Sequence, residues 1–288
     1  MITLLNLFNE NLIFRVILLF ILGSCIGSFL NVVIFRLPII LNRKWRRESA
    51  SILEIDYSKN DQFPDKFNLI IPKSSCFLCK NPITVWANIP IFGFLLTRGK
   101  CTKCKSAYSI QYVVIELICA SLFGLAGYLN SNAYVIFAEL VFISIVLCAV
   151  FIDFKTFLLP DELTLTLLWL GLLFNIHGLI AESLVDAVLG AVVGYLILWL
   201  IYWGFKLATK REGMGYGDFK FLAAILAWVG ISGLIPILLF APGLGILYFI
   251  TAYLFKRVDV KNPIPFGPFL GISGILVLLY GKYFILPL

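Results

Sequence analysis

The sequence predicts an all-α polytopic membrane protein of about eight transmembrane helices, with one polar, cysteine-bearing segment between the first and second. Three observations carry that expectation. Of 288 residues, 61% are hydrophobic and the mean hydropathy is +0.98, where a soluble domain would be about 45–50% apolar. Charged residues make up 14%, against about 25% in soluble domains. The apolar residues fall in runs near the roughly 20 residues that a bilayer-crossing helix needs.

The runs are 12–35, 110–129, 133–152, 163–181, 184–205, 219–231, 234–255 and 266–286. The first is read as a retained span, because Met1-Ile2-Thr3-Leu4-Leu5-Asn6 lacks the positive region of a cleaved signal peptide. The second to fifth runs are separated by short polar turns. The sixth is short for a span, which implies tilting or sharing a loop. The seventh and eighth flank a basic stretch containing Lys256, Arg257 and Lys261. No internal repeat divides the chain.

Basic residues set the expected orientation. From Arg36 to Ser109 there are thirteen Lys and Arg, which places this segment in the cytoplasm. Lys206, Lys210 and Arg211 follow the fifth span on the same side. The loops around 130–132, 178–183 and 232–233 carry no Lys or Arg. Both termini are then periplasmic. The net charge of +7 reports this asymmetry and does not call for nucleic acid as a partner. The charged segment 41–68, containing Arg43-Lys44-Trp45-Arg46-Arg47, reads as an irregular lobe, either lying on anionic lipid headgroups or simply solvated.

Within the polar segment, Cys76-Phe77-Leu78-Cys79 and Cys101-Thr102-Lys103-Cys104 form two C-x-x-C pairs with twenty-one residues between them. Four thiolates so spaced suit one tetrahedral Zn²⁺, held structurally because no coordination position stays open. A reducing cytoplasm argues against two disulfides; an iron–sulfur cluster and redox thiols are the alternatives. Cys25, Cys119 and Cys148 lie in apolar runs and read as packing residues. The expected domains are residues 1–36, the first transmembrane helix; 37–109, a cytoplasmic zinc-binding domain; and 110–288, a seven-helix membrane core.

The chemistry-bearing stretch is Gly213-Met214-Gly215-Tyr216-Gly217-Asp218-Phe219-Lys220. It sets a carboxylate at the mouth of an apolar helix, where an aspartate also serves as a helix cap. The second carboxylate is Asp153, ending the run Val141–Ile152 and followed by Pro160-Asp161. The parity of spans puts both aspartates, 65 residues apart, at the cytoplasmic face. Two carboxylates held about 3 Å apart share one proton. The ionised one can take a proton from water as it attacks a peptide carbonyl, while the protonated one donates to the carbonyl oxygen. Gly215 and Gly217 would let a substrate backbone lie extended beside Asp218, and Lys220, within one turn of it, is the third residue expected to position the substrate. Of the other acids, Glu139, Glu182 and Asp186 fall towards the outer side. Only Glu116 could join an inner-face site. His177 reads as a surface residue near the outer face.

These residues resemble the bacterial type IV prepilin leader peptidases, membrane aspartyl proteases of the GxGD type. The match runs through Gly213–Lys220, through Asp153 with Pro160-Asp161, and through Gly27-Ser28-Phe29-Leu30-Asn31-Val32-Val33-Ile34-Phe35-Arg36-Leu37-Pro38. It continues in the paired C-x-x-C spacing, Asn88-Ile89-Pro90 and Pro265-Phe266-Gly267-Pro268-Phe269. The resemblance implies a bacterial inner-membrane enzyme that cleaves the basic leader of prepilin and pseudopilin precursors at the cytoplasmic face. It also implies S-adenosylmethionine-dependent N-methylation of the new terminus. Carried over residue by residue, Asp153 and Asp218 would be catalytic, and Cys76, Cys79, Cys101 and Cys104 metal ligands. Two other readings use the same residues. One is a proton- or ion-coupled transporter with intramembrane acids; the other is a zinc-dependent scaffold whose aspartates only cap helices.

Overall fold

The structure is a computed structural model that describes residues 2–54, 64, 66–76, 78–84, 86–180, 183–255 and 263–284. Phe77, Glu182, Lys256, Arg257 and Lys261, named above, lie outside the described residues. Ten helices form among those described: α1 (Ile2–Glu10), α2 (Leu12–Ile52), α3 (Phe92–Thr97), α4 (Gln111–Leu129), α5 (Ala133–Thr156), α6 (Asp161–Ile176), α7 (Leu184–Thr209), α8 (Tyr216–Val229), α9 (Leu234–Leu254) and α10 (Gly267–Phe284). No strand appears among the described residues; two isolated β-bridges do.

Every one of the eight apolar runs contains a helix. Five are long and apolar enough to cross a membrane: α2, α4, α5, α7 and α9 with its preceding turn. The other three are 16, 14 and 18 residues long, α6, α8 and α10. The shortest, α8, spans only about 21 Å at 1.5 Å per residue, and nearly all of its side chains are buried in protein rather than offered to lipid.

The chain separates into two compact units, Met1–Leu125 and Ala126–Leu288, with the division inside α4. In the first unit, α2 and α4 touch through small residues. A Cβ on Gly23 would stand 2.7 Å from Ala120 Cα, and one on Gly27 2.8 Å from Glu116 Cα. This is close packing across a small-residue i, i+4 stripe, the way helices associate where lipid supplies no hydrophobic drive. Asn31 adds a hydrogen bond from Nδ2 to Tyr112 O, 2.9 Å.

Helix α2 departs from the sequence reading. It continues for 41 residues, through the interior Pro38, to Ile52, so residues 41–52 are helical and not irregular. Proline removes one backbone hydrogen bond, but Arg43, Lys44, Arg46, Arg47 and Glu48 are good helix formers and carry the helix on. Side chains tie the following chain back to it. Arg36 donates to Asn68 O at 2.8 Å and Pro72 O at 2.6 Å, and Arg43 donates to Pro64 O at 3.1 Å.

The second unit is organised around α8, which packs against α6, α7 and α10. Phe219, Phe221, Leu222, Ile225 and Trp228 are completely buried. Its C-terminal carbonyls find partners in α6: Asn175 Nδ2 donates to Ala227 O and Trp228 O, at 2.9 and 3.0 Å. In return Trp228 Nε1 donates to Leu167 O at 2.7 Å. Helix α10 approaches α5 closely enough that a Cβ on Gly271 would lie 2.3 Å from Val150 Cγ2. By contrast α7 and α9 bury little of their apolar windows, as lipid-facing helices would. Cys119 and Cys148 are buried, as expected for packing residues, whereas Cys25 is exposed on α2.

Candidate active site and metal centre

Asp153 stands in the last turn of α5. The helix starts at Asn132, whose side chain accepts from Tyr134 N–H. It ends when Phe157 turns left-handed, φ 55°, and its N–H bonds to Asp153 O. Pro160 cannot extend that helix, and α6 begins immediately after it with Asp161 and Glu162 in its first turn, where the helix dipole favours acids. Asp218 is the third residue of α8 and reaches back to accept from Gly215 N–H at 3.2 Å. That is half of a capping box, since Gly215 has no side chain to return the bond.

The structure brings the two aspartates to one place in the second unit. Both are buried, with 5% exposure for Asp153 and 7% for Asp218. Each has its Oδ2 held by a glycine amide: Asp153 by Gly267 N–H at 3.1 Å, Asp218 by Gly215 N–H at 3.2 Å. Neither Oδ1 takes a hydrogen bond from the described residues. Leu159 packs between the two holding segments. A Cβ on Gly217 would be 2.9 Å from Leu159 Cβ, and one on Gly267 would be 3.2 Å from Leu159 Cδ1. Two buried carboxylates, each with one oxygen held by a glycine amide and the other left over, are the groups that acid–base chemistry on a single water would call for.

The remaining sequence candidates fall as follows. Gly215 meets Asp218 directly. Gly217 lies against Leu159. The Lys220 ammonium forms an ion pair with Asp161 at the start of α6, 2.7 Å to Oδ1 and 2.9 Å to Oδ2; both side chains are substantially exposed. Glu116 belongs to the first unit and accepts from Ile91 N–H at 2.8 Å. Glu139 accepts from Asn130 Nδ2 at 2.6 Å, Asp186 pairs with Ser183 at the start of α7, and His177 is exposed at the end of α6. Gly267 was missed as a site residue. Its only sequence signal was the Pro-Phe-Gly-Pro-Phe loop around it, 114 residues from the carboxylate it holds.

In the first unit the four cysteines converge. Their Sγ atoms all lie within 4.8 Å of one another. Each pair sits in the same knuckle. Lys80 N–H bonds to Cys76 O and Cys76 N–H to Asn81 O, at 2.9 and 2.8 Å; Lys105 N–H bonds to Cys101 O and Cys101 N–H to Ser106 O, at 3.0 and 2.8 Å. Lys80 and Lys105 are both left-handed, φ 55° and 61°. A zinc–sulfur bond of about 2.3 Å requires sulfur–sulfur edges of about 3.8 Å in a tetrahedron. Cys76 and Cys104 are 3.7 Å apart and Cys79 and Cys101 3.9 Å. Without an ion the four sulfurs hold one another's protons unevenly: the backbone N–H of Cys79 and the Ser106 hydroxyl lower the Cys76 thiol to about 6, while burial and the neighbouring sulfurs leave the Cys79 thiol raised to about 11. The residues therefore fit a four-coordinate metal ion.

Comparison with known proteins agrees with this division. Residues 21–129 match the family described as bacterial peptidase A24 N-terminal domain, and residues 140–250 match the type IV leader peptidase family. The chain is 44% identical over 264 residues to a prepilin leader peptidase/N-methyltransferase of Aeromonas salmonicida (strain A449), covering 92% of this chain and 90% of that one. Proteins of the same description from Pectobacterium carotovorum subsp. carotovorum and Neisseria gonorrhoeae are 45% and 42% identical. The first covers 88% of this chain and 89% of its own length, the second 92% and 90%. No solved structure matches the chain.

Proposed function

The chain belongs to the type IV leader peptidase family, and from that premise we propose that it is a membrane aspartyl endopeptidase acting on the leaders of prepilins and pseudopilins, with N-methylation of the new terminus. The observation that carries the reading is the pair Asp153 and Asp218. They are buried together, each held by one glycine amide and each with one oxygen left for water. One carboxylate, ionised, removes a proton from that water as the oxygen attacks the scissile carbonyl. The other, protonated, donates to the carbonyl oxygen. Collapse of the tetrahedral intermediate breaks the C–N bond, and the departing amine takes back a proton. The Gly267 and Gly215 amides keep both carboxylates in place through these transfers. Nothing favours the transporter reading.

On this reading the cysteines hold a structural Zn²⁺ in a domain spanning residues 37–109, with residues 110–288 as the protease core and residues 1–36 as the first membrane helix. A four-cysteine zinc has no open position, so it takes no part in peptide cleavage. The excess of Lys and Arg in the segment from 36 to 109 and after the fifth apolar run supports a cytoplasmic metal domain and cytoplasmic aspartates, with both termini periplasmic. Methylation would draw on S-adenosylmethionine. The cavity on the C-terminal part of α2 presents the exposed cations Lys44 and Arg47, which oppose a sulfonium ligand.

The test is cleavage of a purified prepilin by the full chain in detergent. Asp153→Asn and Asp218→Asn, made separately, should each abolish cleavage while the protein still inserts and still methylates a pre-cleaved pilin. Wild-type cleavage by either variant would overturn the assignment.

A further inference from the structure

Between the two cysteine knuckles runs a segment that the cleavage chemistry does not use. From Ile89 to Thr97 it holds no charged residue. Its helix α3 has two faces. One packs inward: Gly93 has no room for a Cβ against Ala87 O, Phe94 lies on Gly99, and the Thr97 hydroxyl donates to Gly93 O at 2.8 Å. The other presents Phe92, Leu95 and Leu96 at i, i+3 and i+4, exposed to 65, 64 and 72%. On a domain standing wholly outside the membrane, that face would lie in water.

Two helices set its depth. On α2, Arg15 and Arg36 bracket the uncharged residues 16–35, about 30 Å of helix and the thickness of the hydrocarbon layer. Helix α4 runs antiparallel beside it, with Tyr112 level with Asn31, Glu116 with Gly27 and Ala120 with Gly23. Glu116 is therefore about 13 Å inside the level of Arg36. Its carboxylate accepts from Ile91 N–H at 2.8 Å. Even with that side chain reaching back one helical turn, Ile91 stands about 8 Å inside Arg36. Interfacial helices bury their apolar faces to a similar depth, about 5–10 Å.

Irregular backbone at that level must satisfy its own polar groups, and here the N–H groups have partners. Ile89 N–H bonds to Trp86 O, Phe92 N–H to Pro90 O and Gly93 N–H to Ile89 O, while Pro90 has no N–H to place. Ile91 is β-branched yet holds φ 61°, a strained turn secured by Glu116. Arg98, Lys100, Lys103 and Lys105 follow α3 and lie exposed, where anionic headgroups would meet them.

We propose that the outer face of α3 is seated among the acyl chains of the cytoplasmic leaflet, so that the metal-binding segment dips into the bilayer between its knuckles. The experiment uses the full chain in phosphatidylcholine vesicles. Phe92→Trp and Leu96→Trp, made separately, are each read as the fluorescence added above wild type. Lipid brominated near the headgroup end of its acyl chains should quench that signal more than lipid brominated near the chain ends, and aqueous acrylamide should quench it least. Acrylamide quenching above that of either lipid would put the face in water. Protection from all three quenchers would mean that protein covers it. Either result overturns the proposal. Leu95→Glu with Leu96→Glu, read through Phe92→Trp, should raise acrylamide quenching above lipid quenching, since carboxylates oppose entry into hydrocarbon; an unchanged order would also overturn it.

Discussion

At Gly267 an added Cβ would stand 2.6 Å from Asp153 Oδ2 and 3.1 Å from its Cγ, whereas at Gly215 the nearest atom, Asp218 Oδ2, would be 3.5 Å away. The first is a collision with a buried carboxylate; the second is an ordinary contact. Gly267→Ala should therefore lower kcat for leader cleavage about 100-fold, the scale of loss for a misplacement of about 1 Å. Gly215→Ala should cost less than about ten-fold, because its N–H survives the substitution. Steady-state kinetics on one prepilin checks both, and equal losses would contradict the geometry. Asp153 and Asp218 could be singled out in the sequence because each sits in a local pattern of glycines or proline that ends or starts a helix. Gly267 could not be tied to Asp153, since no local pattern reports a hydrogen bond closed across 114 residues. The Lys220–Asp161 pair was hidden for the same reason. Lys220 lies within one turn of Asp218 in the chain, but its long side chain turns to another helix.

At the scale of helices, two links join α6 to α8 and differ in worth. The Lys220–Asp161 pair is exposed to solvent, and exposed ion pairs contribute about 0–1 kcal/mol. The Asn175 amide is buried and serves two carbonyls; leaving buried acceptors without a donor costs about 1–3 kcal/mol. Thermal unfolding in detergent should therefore show a clear fall in Tm for Asn175→Ala and a small one for Lys220→Met. The reverse order would show that the ion pair, not the buried amide, secures α8. The positions of the eight apolar helices were legible from run length and hydropathy. Two properties were not. Charge suggested irregular chain after Pro38, yet Lys, Arg and Glu continue a helix readily. Hydropathy alone also could not distinguish the 14-residue α8, wrapped by other helices, from a helix facing lipid.

For the whole molecule, a metal ion held by the four cysteines would be the feature whose removal separates the two units functionally. Two sulfur–sulfur edges have the length of a tetrahedral zinc site and all four sulfurs lie within 4.8 Å of one another, and a structural zinc can contribute on the order of 10 kcal/mol of apparent folding energy. Metal analysis should find about one zinc per chain, and Cys76→Ser should abolish most of it; an iron absorbance spectrum would refute the zinc reading. Chelation should increase the susceptibility of residues 66–109 to protease, with little change in the unit that carries the aspartates. The cysteine site was fully legible because its information is local: two short knuckles of one design, repeated.

The aspartates are steadied by main-chain N–H groups, with no polar side chain among the described residues holding either one. Such support survives any replacement but proline, so it depends on where the backbone lies and not on which side chain it carries. Saturation mutagenesis should then map inactivation onto Gly267, where any added Cβ collides, and onto proline at position 215, and compensating substitutions should arise in apolar neighbours such as Leu159, whose bulk sets where those N–H groups lie.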